Sequence, residues 1–211
     1  MMEGLAIDAT ETVAAGRAGL HSSPQMSSLE TPIERARRGD PEAFRQLFER
    51  YSRPVISFVY DMVGDRALAE DLTQETFVRA YRHLGSLREE GKFSTWLFSI
   101  AKNVAREHLR SGERRASKVE LDDEQVMELQ DEGRTPVEGL LDKELNGVVR
   151  RALGALDEDK RTVFALKVFQ QRSYEEIAEI TGFSLPKVKT DLHRARAEMR
   201  RRIRPYLGVT Q

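Results

Sequence analysis

The chain has 211 residues, no cysteine, 34 Lys+Arg against 35 Asp+Glu and a formal net charge of −1. It therefore holds no disulfide framework and no cysteine-ligated metal site, and no apolar run approaches the ~18 residues of a membrane span. One third of the residues are charged and only 7% are aromatic, a balance that favours helices, and the length suits one large domain or two small ones.

Charge is unevenly placed. Residues 1–30 carry −3, 31–115 carry +3, 116–142 carry −7 and 143–211 carry +6. Two basic blocks thus flank an acidic stretch, and that asymmetry says more about partners than the total does.

Residues 1–30 are rich in Ala, Gly, Ser and Thr, with Gly4, Gly16, Gly19 and Pro24 interrupting any helical stripe. They read as a disordered tail without the basic start and apolar core of a secretory signal, and Met26 offers an alternative start. The first folded block, 31–115, opens on Asp40-Pro41-Glu42, in which Asp caps, Pro fits the first helical position and Glu faces the positive end of the dipole. Phe44, Leu47, Phe48 and Tyr51 follow at helical spacing. Pro54 predicts a break or kink, after which Val55, Ile56, Val59, Met62 and Val63 continue the stripe. Gly64 closes that helix and Asp65 caps a third, which carries Leu68, Leu72, Thr76 or Phe77, and Ala80 on one face until Gly85. The polar loop Arg88-Glu89-Glu90-Gly91 precedes a helix opened by Ser94, with Trp96, Leu97, Ile100, Ala101, Val104 and Leu109 as its buried face. With no alternating strand pattern, the expectation is all-α: two small helical domains joined by a flexible acidic linker, residues 116–136. Within that linker Val126–Leu129 form a short amphipathic stretch.

In the second block, 137–211, Leu140, Leu141, Leu145, Val148 and Val149 mark one helix, with Leu153 and Leu156 after it. Asp157 caps another, bearing Val163, Phe164, Leu166 and Phe169. Then Ser173-Tyr174-Glu175-Glu176 spells a capping box, with the Ser and Glu sides of the box three residues apart. A short helix leads to Thr181-Gly182-Phe183, a turn in which Gly182 is free to take positive φ. Ser184 caps a second helix that tolerates Pro186 in its first turn. Ala178, Gly182 and Val188 stand at helix-turn-helix spacing: a small residue for contact, a glycine for the turn, a plug between the helices. On the second helix Val188, Leu192, Ala195, Met199 and Ile203 form one stripe, while Thr190, His193, Arg194, Ala197 and Arg201 lie opposite, beside Lys187 and Lys189. From Leu185 to Gln211 there are eight basic and two acidic residues. An ordinary solvated face mixes signs; one apolar face and one basic face is what a helix in the DNA major groove needs. Arg200, Arg201 and Arg202 suit phosphate rather than bases.

Together the blocks resemble the extracytoplasmic-function (ECF, group IV) type of sigma-70 factor. Ala43–Tyr51 resembles the first helix of sigma region 2, Asp71–Arg82 resembles region 2.2, Phe93–Asn103 resembles region 2.3 running into 2.4, and Tyr174–Arg196 resembles region 4.2, ending in Leu192-His193-Arg194-Ala195-Arg196. The match covers about 33–115 and 137–204. The resemblance implies a cytoplasmic protein that binds core RNA polymerase through its β and β′ subunits and directs recognition of promoter DNA, with an anti-sigma factor as a further partner.

Residue by residue, Asp71, Gln74, Glu75 and Arg79 match the polymerase-docking helix. The loop Leu87, Arg88, Glu89, Glu90, Gly91 and Lys92 matches the part that captures a flipped −10 base, at an unstacking cost of a few kcal/mol. Glu89 and Glu90 either repel DNA or accept from cytosine N4. Asn103 and Arg106 follow on the next helix, with Arg110, Arg114 and Arg115 suited to phosphates. Trp96, on the apolar stripe, reads as core rather than as a stacking platform. Lys187, Lys189, Thr190, His193, Arg194 and Arg196 match the −35 reader. Pro186 and Lys187 replace the usual Gly-Thr, and Asp191 replaces a common basic residue, so the −35 sequence is left open. Linker acids Asp122, Asp123, Glu124, Glu128, Asp131 and Glu132 either mimic a phosphate backbone in the polymerase or only solubilise the linker. The tether and DNA phosphate then compete for the same basic faces, so the free protein is expected to bind DNA weakly.

Two other classes fit less well. A helix-turn-helix repressor requires a dimerisation or ligand domain, and residues 31–115 do not read as one. An enzyme requires a site, and His21, His83, His108 and His193 show no ligand spacing, nor is a phosphate loop or triad present. No catalytic residue, metal, cofactor, small-molecule substrate or membrane insertion is expected.

Overall fold

The computed structural model describes residues 30–116 and 136–206. Among them every regular element is helical: α1 (Pro32–Arg37), α2 (Pro41–Val63), α3 (Arg66–His83), α4 (Phe93–Ala116), α5 (Pro136–Gly154), α6 (Glu158–Phe164), α7 (Tyr174–Thr181) and α8 (Leu185–Ile203). The all-α reading therefore stands, while residues 1–29 and the linker readings, Val126–Leu129 and the six linker acids included, lie outside the described residues.

Local chemistry sets the helix ends. The Asp40 carboxylate accepts from the backbone N–H of Glu42 and Ala43, and Gly64 closes α2 in the left-handed region at φ 77°. Asp65 then accepts from the Leu68 N–H to start α3, and Asp157 caps α6 in the same way through Lys160. These acceptors satisfy N–H groups that have no partner inside the helix.

Four sequence expectations are corrected. α2 runs unbroken through Pro54, because Val55, Phe58 and Val59 directly after it are fully buried and hold the helix against the core. α4 begins at Phe93, whose ring is buried, rather than at Ser94. Its buried face is Phe93, Leu97, Phe98, Ala101, Val104 and Ala105, with Trp96 and Ile100 packed at the edge, so Trp96 does belong to the core. Leu153 continues α5 rather than following it.

The two helical blocks of the sequence reading also meet in the fold. In the structure α1–α4 and α5–α8 belong to one compact unit, and a single apolar cluster runs from Leu47, Phe58 and Phe98 to Leu166, Ile177 and Leu192. α4 packs against α7, and α2 packs against α5 and α6.

Candidate nucleic-acid interface

The helix-turn-helix forms as its spacing demands. Ser173 accepts from the Glu176 N–H while the Glu176 carboxylate accepts from the Ser173 N–H, so the capping box is closed. Gly182 adopts φ 76°, where a side chain would strain the backbone. Val188 is fully buried on α8, which packs against α7. Ser184 caps α8 through the Lys187 N–H.

α8 divides as expected. Val188, Leu192, Ala195 and Met199 are buried; Lys189, Thr190, His193, Arg194 and Arg196 are exposed. Lys187 departs from this pattern, because its ammonium pairs with Asp159 at 3.0 Å and with Asp191 one turn on. Asp191, the departure from the family pattern, is buried, and these anions raise the pKa of Lys187 above the ordinary lysine value. Asp191 thus ties down a basic side chain instead of facing a base.

The polymerase-docking candidates share one exposed side of α3: Asp71, Gln74 and Glu75 face solvent. Arg79 bridges Glu75 at 2.8 Å and Glu107 of α4 at 2.9 Å, so it braces the helix pair as well as lining that side. Next to Gln74 lies an open groove of about 470 Å³ lined by Phe44, Phe48, Phe77, Val78 and Tyr81. Phe44 and Tyr81 meet edge to face at 4.9 Å, as do Phe48 and Phe77 at 4.7 Å. Phe48, Val78 and Tyr81 stay exposed, an apolar patch that sequence reading consigned to the core or overlooked.

The −10 candidates are split. Arg88, Glu89, Gly91, Lys92 and Asn103 are exposed and Glu90 is half-buried. Leu87 is corrected: it is a core side chain, 3% exposed, and only its carbonyl is used, accepting from Arg37 at 2.8 Å. An apolar residue beside Leu84 lowers its energy by turning inward. Lys92 and Arg106 are both engaged by the second helical block. Lys92 bonds Glu179 of α7 at 2.7 Å, and Arg106 pairs with Glu158 of α6 at 2.8 Å. Between them Lys102 reaches the Thr181 carbonyl at 3.4 Å, and partial burial lowers its pKa.

Three arginines close this seam. Arg172 donates to Ser94 Oγ at 2.7 Å and to Glu176 at 3.2 Å, with its guanidinium 4.5 Å from the Phe98 ring centroid. Arg161 donates to the Met62 carbonyl at 2.7 Å and to the carbonyls of Gly154 and Leu156. Arg150 bonds the Tyr60 hydroxyl and lies over the Tyr60 ring at 4.6 Å. Beside them Asp61 is largely enclosed; burial pushes its carboxyl up to about 7 against the pull of Arg150, and Oδ2 has no hydrogen-bond partner. Sequence reading singled out none of these four. Two left a trace: Arg172 sits just before the N-cap of α7, at the positive end of a helix dipole, and Asp61 interrupts the apolar end of α2.

Among the described residues no group of His, Cys, Asp and Glu is placed to hold a metal ion, and no helix is long and apolar enough to cross a membrane.

Comparison with known proteins adds to this geometry. Residues 47–115 match the family model of Sigma-70 region 2, and residues 147–199 match that of Sigma-70, region 4. The RNA polymerase sigma-H factor of Pseudomonas aeruginosa is 34% identical over 181 residues, 83% of this chain and 93% of that protein. The ECF RNA polymerase sigma-E factor of Escherichia coli K12 is 34% identical over 182 residues, 83% of this chain and 94% of that one. Among solved structures, sigma factor RpoE of Bartonella quintana, crystallised with the anti-sigma factor NepR, has a TM-score of 0.63 at 22% identity over 77% of this chain and 98% of that chain. CnrH in complex with the cytosolic domain of CnrY has a TM-score of 0.58 at 23% identity, covering 80% and 92%. These two likenesses concern the fold.

Proposed function

Because the chain belongs to the ECF type of the sigma-70 family of RNA polymerase sigma factors, we propose that its two helical blocks divide the work of transcription initiation as follows. Residues 31–115 act as region 2, residues 137–211 as region 4, and residues 116–136 as the acidic linker. Asp71, Gln74, Glu75 and Arg79 dock core polymerase, with the aromatic groove beside Gln74 supplying the apolar part of that contact. Docking of this kind combines apolar anchors with a polar rim. Arg88, Glu89, Glu90, Gly91 and Lys92 capture the flipped −10 base, and Asn103 and Arg106 hold the strand beside it. Lys189, Thr190, His193, Arg194 and Arg196 read the −35 element in the major groove, with Lys187 available once it leaves Asp159 and Asp191.

The observation that carries the reading is α8 within its helix-turn-helix: buried Val188, Leu192 and Ala195 on one face, exposed cations and a histidine on the other. The protein acts in the cytoplasm as a non-catalytic specificity subunit. Its partners are the β and β′ subunits and promoter DNA, and an anti-sigma factor is the expected antagonist, as NepR is named for the Bartonella protein. Run-off transcription with purified core polymerase on genomic promoter fragments tests this. Initiation at discrete start sites is expected; silence with a core that is active with another sigma factor overturns it.

A further inference from the structure

We propose that Asp159 and Asp191 act as specificity determinants of the −35 reader by withholding Lys187 from the DNA backbone. A duplex of arbitrary sequence then meets α8 with one cation fewer and two carboxylates beside it. The inference rests on the functional assignment above and concerns how that same helix discriminates among duplexes.

Lys187 lies in the first turn of α8, where its backbone N–H donates to the Ser184 cap. A cation there stands at the positive end of the helix dipole, where anions are favoured and phosphate binds readily. The side chain is held from three sides. Its Nζ donates to Asp159 Oδ2 at 3.0 Å and to Asp191 Oδ2 one turn on, and it lies 4.2 Å from the Phe183 ring centroid. An ammonium has three N–H donors, and two carboxylates and one ring face match that number. The partners come from three places: the first turn of α6, the turn between α7 and α8, and α8 itself. Two of them are fixed by packing, since the Asp191 side chain is only 11% exposed and Phe183 lies against the apolar cluster. Lys189, Arg194 and Arg196 on the same helix are exposed. One ammonium with two carboxylates leaves a net negative charge at the end of the reader that a free Lys187 would make positive. Discrimination among partners is gained by penalising the wrong one as well as by favouring the right one. Backbone contacts alone do not repay the loss of both carboxylates. A duplex whose bases also engage Thr190, His193 and Arg194 brings enough further contacts to draw Lys187 out.

The test titrates the full chain onto a short fluorescein-labelled duplex of arbitrary sequence over a series of salt concentrations. Asp159→Asn with Asp191→Asn should raise affinity at low salt by about tenfold and steepen the log–log salt slope by about 0.9, the mark of one added phosphate contact. Adding Lys187→Gln to that pair should abolish the change in slope and most of the gain. Glu42→Gln with Glu49→Gln likewise frees one cation, Arg45, from two carboxylates, but on α2, which carries none of the proposed readers. It should change affinity by less than about twofold. In the otherwise unaltered chain, Lys187→Gln should leave the slope as it is, whereas Lys189→Gln flattens it by about 0.9. This last pair of variants spares the buried acid and decides the matter even where the double Asn variant does not fold. A gain without a change in slope, a gain that survives Lys187→Gln in full, or equal flattening by Lys187→Gln and Lys189→Gln would overturn the proposal. Run-off transcription separates this outcome from the parent assignment. Wild type that directs initiation, with no gain that depends on Lys187, refutes the withholding alone. A gain that depends on Lys187, in a chain that directs no initiation, refutes the sigma assignment alone.

Discussion

The two proposed DNA readers of this chain differ in availability. On α8, Lys189, Thr190, His193, Arg194 and Arg196 project into solvent from a helix whose other face is buried. On α4 and the turn before it, Lys92 and Arg106 are held by acids of α7 and α6, while Arg88, Glu89, Gly91 and Asn103 are exposed. The reason lies in how each reader is built. α8 presents its basic face from within one continuous helical hairpin, so local packing that orients Val188 inward orients Arg194 outward. The α4 face has no such protection from its own chain: it is an amphipathic surface that a second block of opposite local charge can cover.

The comparison can be broken at several points, the strongest effect first. The open α3 side serves as reference. Replacing Gln74 and Glu75 together by Ala should cost about 3–4 kcal/mol of core-polymerase affinity, the scale of paired interface hot spots, with the chain still folded. Undiminished capture in a quantitative pull-down would remove these residues from the docking surface. On the covered side, Arg172→Ala deletes the Ser94 bond and the Phe98 stack of a side chain only 17% exposed. A loss of about 2–3 kcal/mol in urea unfolding is expected. On the open DNA reader, Arg194→Ala should weaken cognate promoter binding by about 2 kcal/mol if the guanidinium makes a bidentate base contact. Unchanged transcription from that promoter would assign the reading to its neighbours.

The smallest effect concerns Asp61. Burial pushes its carboxyl from the ordinary 3.8 up to about 7 in the folded chain. As pH climbs from about 4 to about 7, the unfolded chain ionises while the folded chain keeps its proton, so the fold loses stability across that window and regains none above it. Asp61→Asn should therefore stabilise the fold by about 1 kcal/mol above pH 7, and by nothing near pH 4. Urea midpoints at the two pH values would reveal it, and an equal shift at both would mean the carboxyl is not the cause.

The helix ends were legible because each depends on a few adjacent residues. Asp40, Asp65, Asp157, Ser173 and Ser184 each satisfy backbone groups within three positions, and Gly64 and Gly182 each take the left-handed turn. Pro54 misled for the opposite reason: the penalty for a proline within a helix is local, and burial of Val55, Phe58 and Val59 outweighs it from a distance. Leu87 was misplaced because the loop resemblance speaks for a segment, whereas burial is decided side chain by side chain.

By itself, the sequence determined the helical class, the two blocks with opposite charge between them, and the helix-turn-helix with its exposed reader, since periodicity and caps are short-range properties. Only the tertiary structure decided that the two blocks share one apolar cluster, that Arg172, Arg161 and Arg150 bridge them, and that Glu158 and Glu179 face Arg106 and Lys92. Such contacts join residues some 50 to 100 positions apart. Neither charge counts nor spacing can pair them, because which of many equivalent acids meets which cation is fixed by the packing of helices and not by either side chain alone.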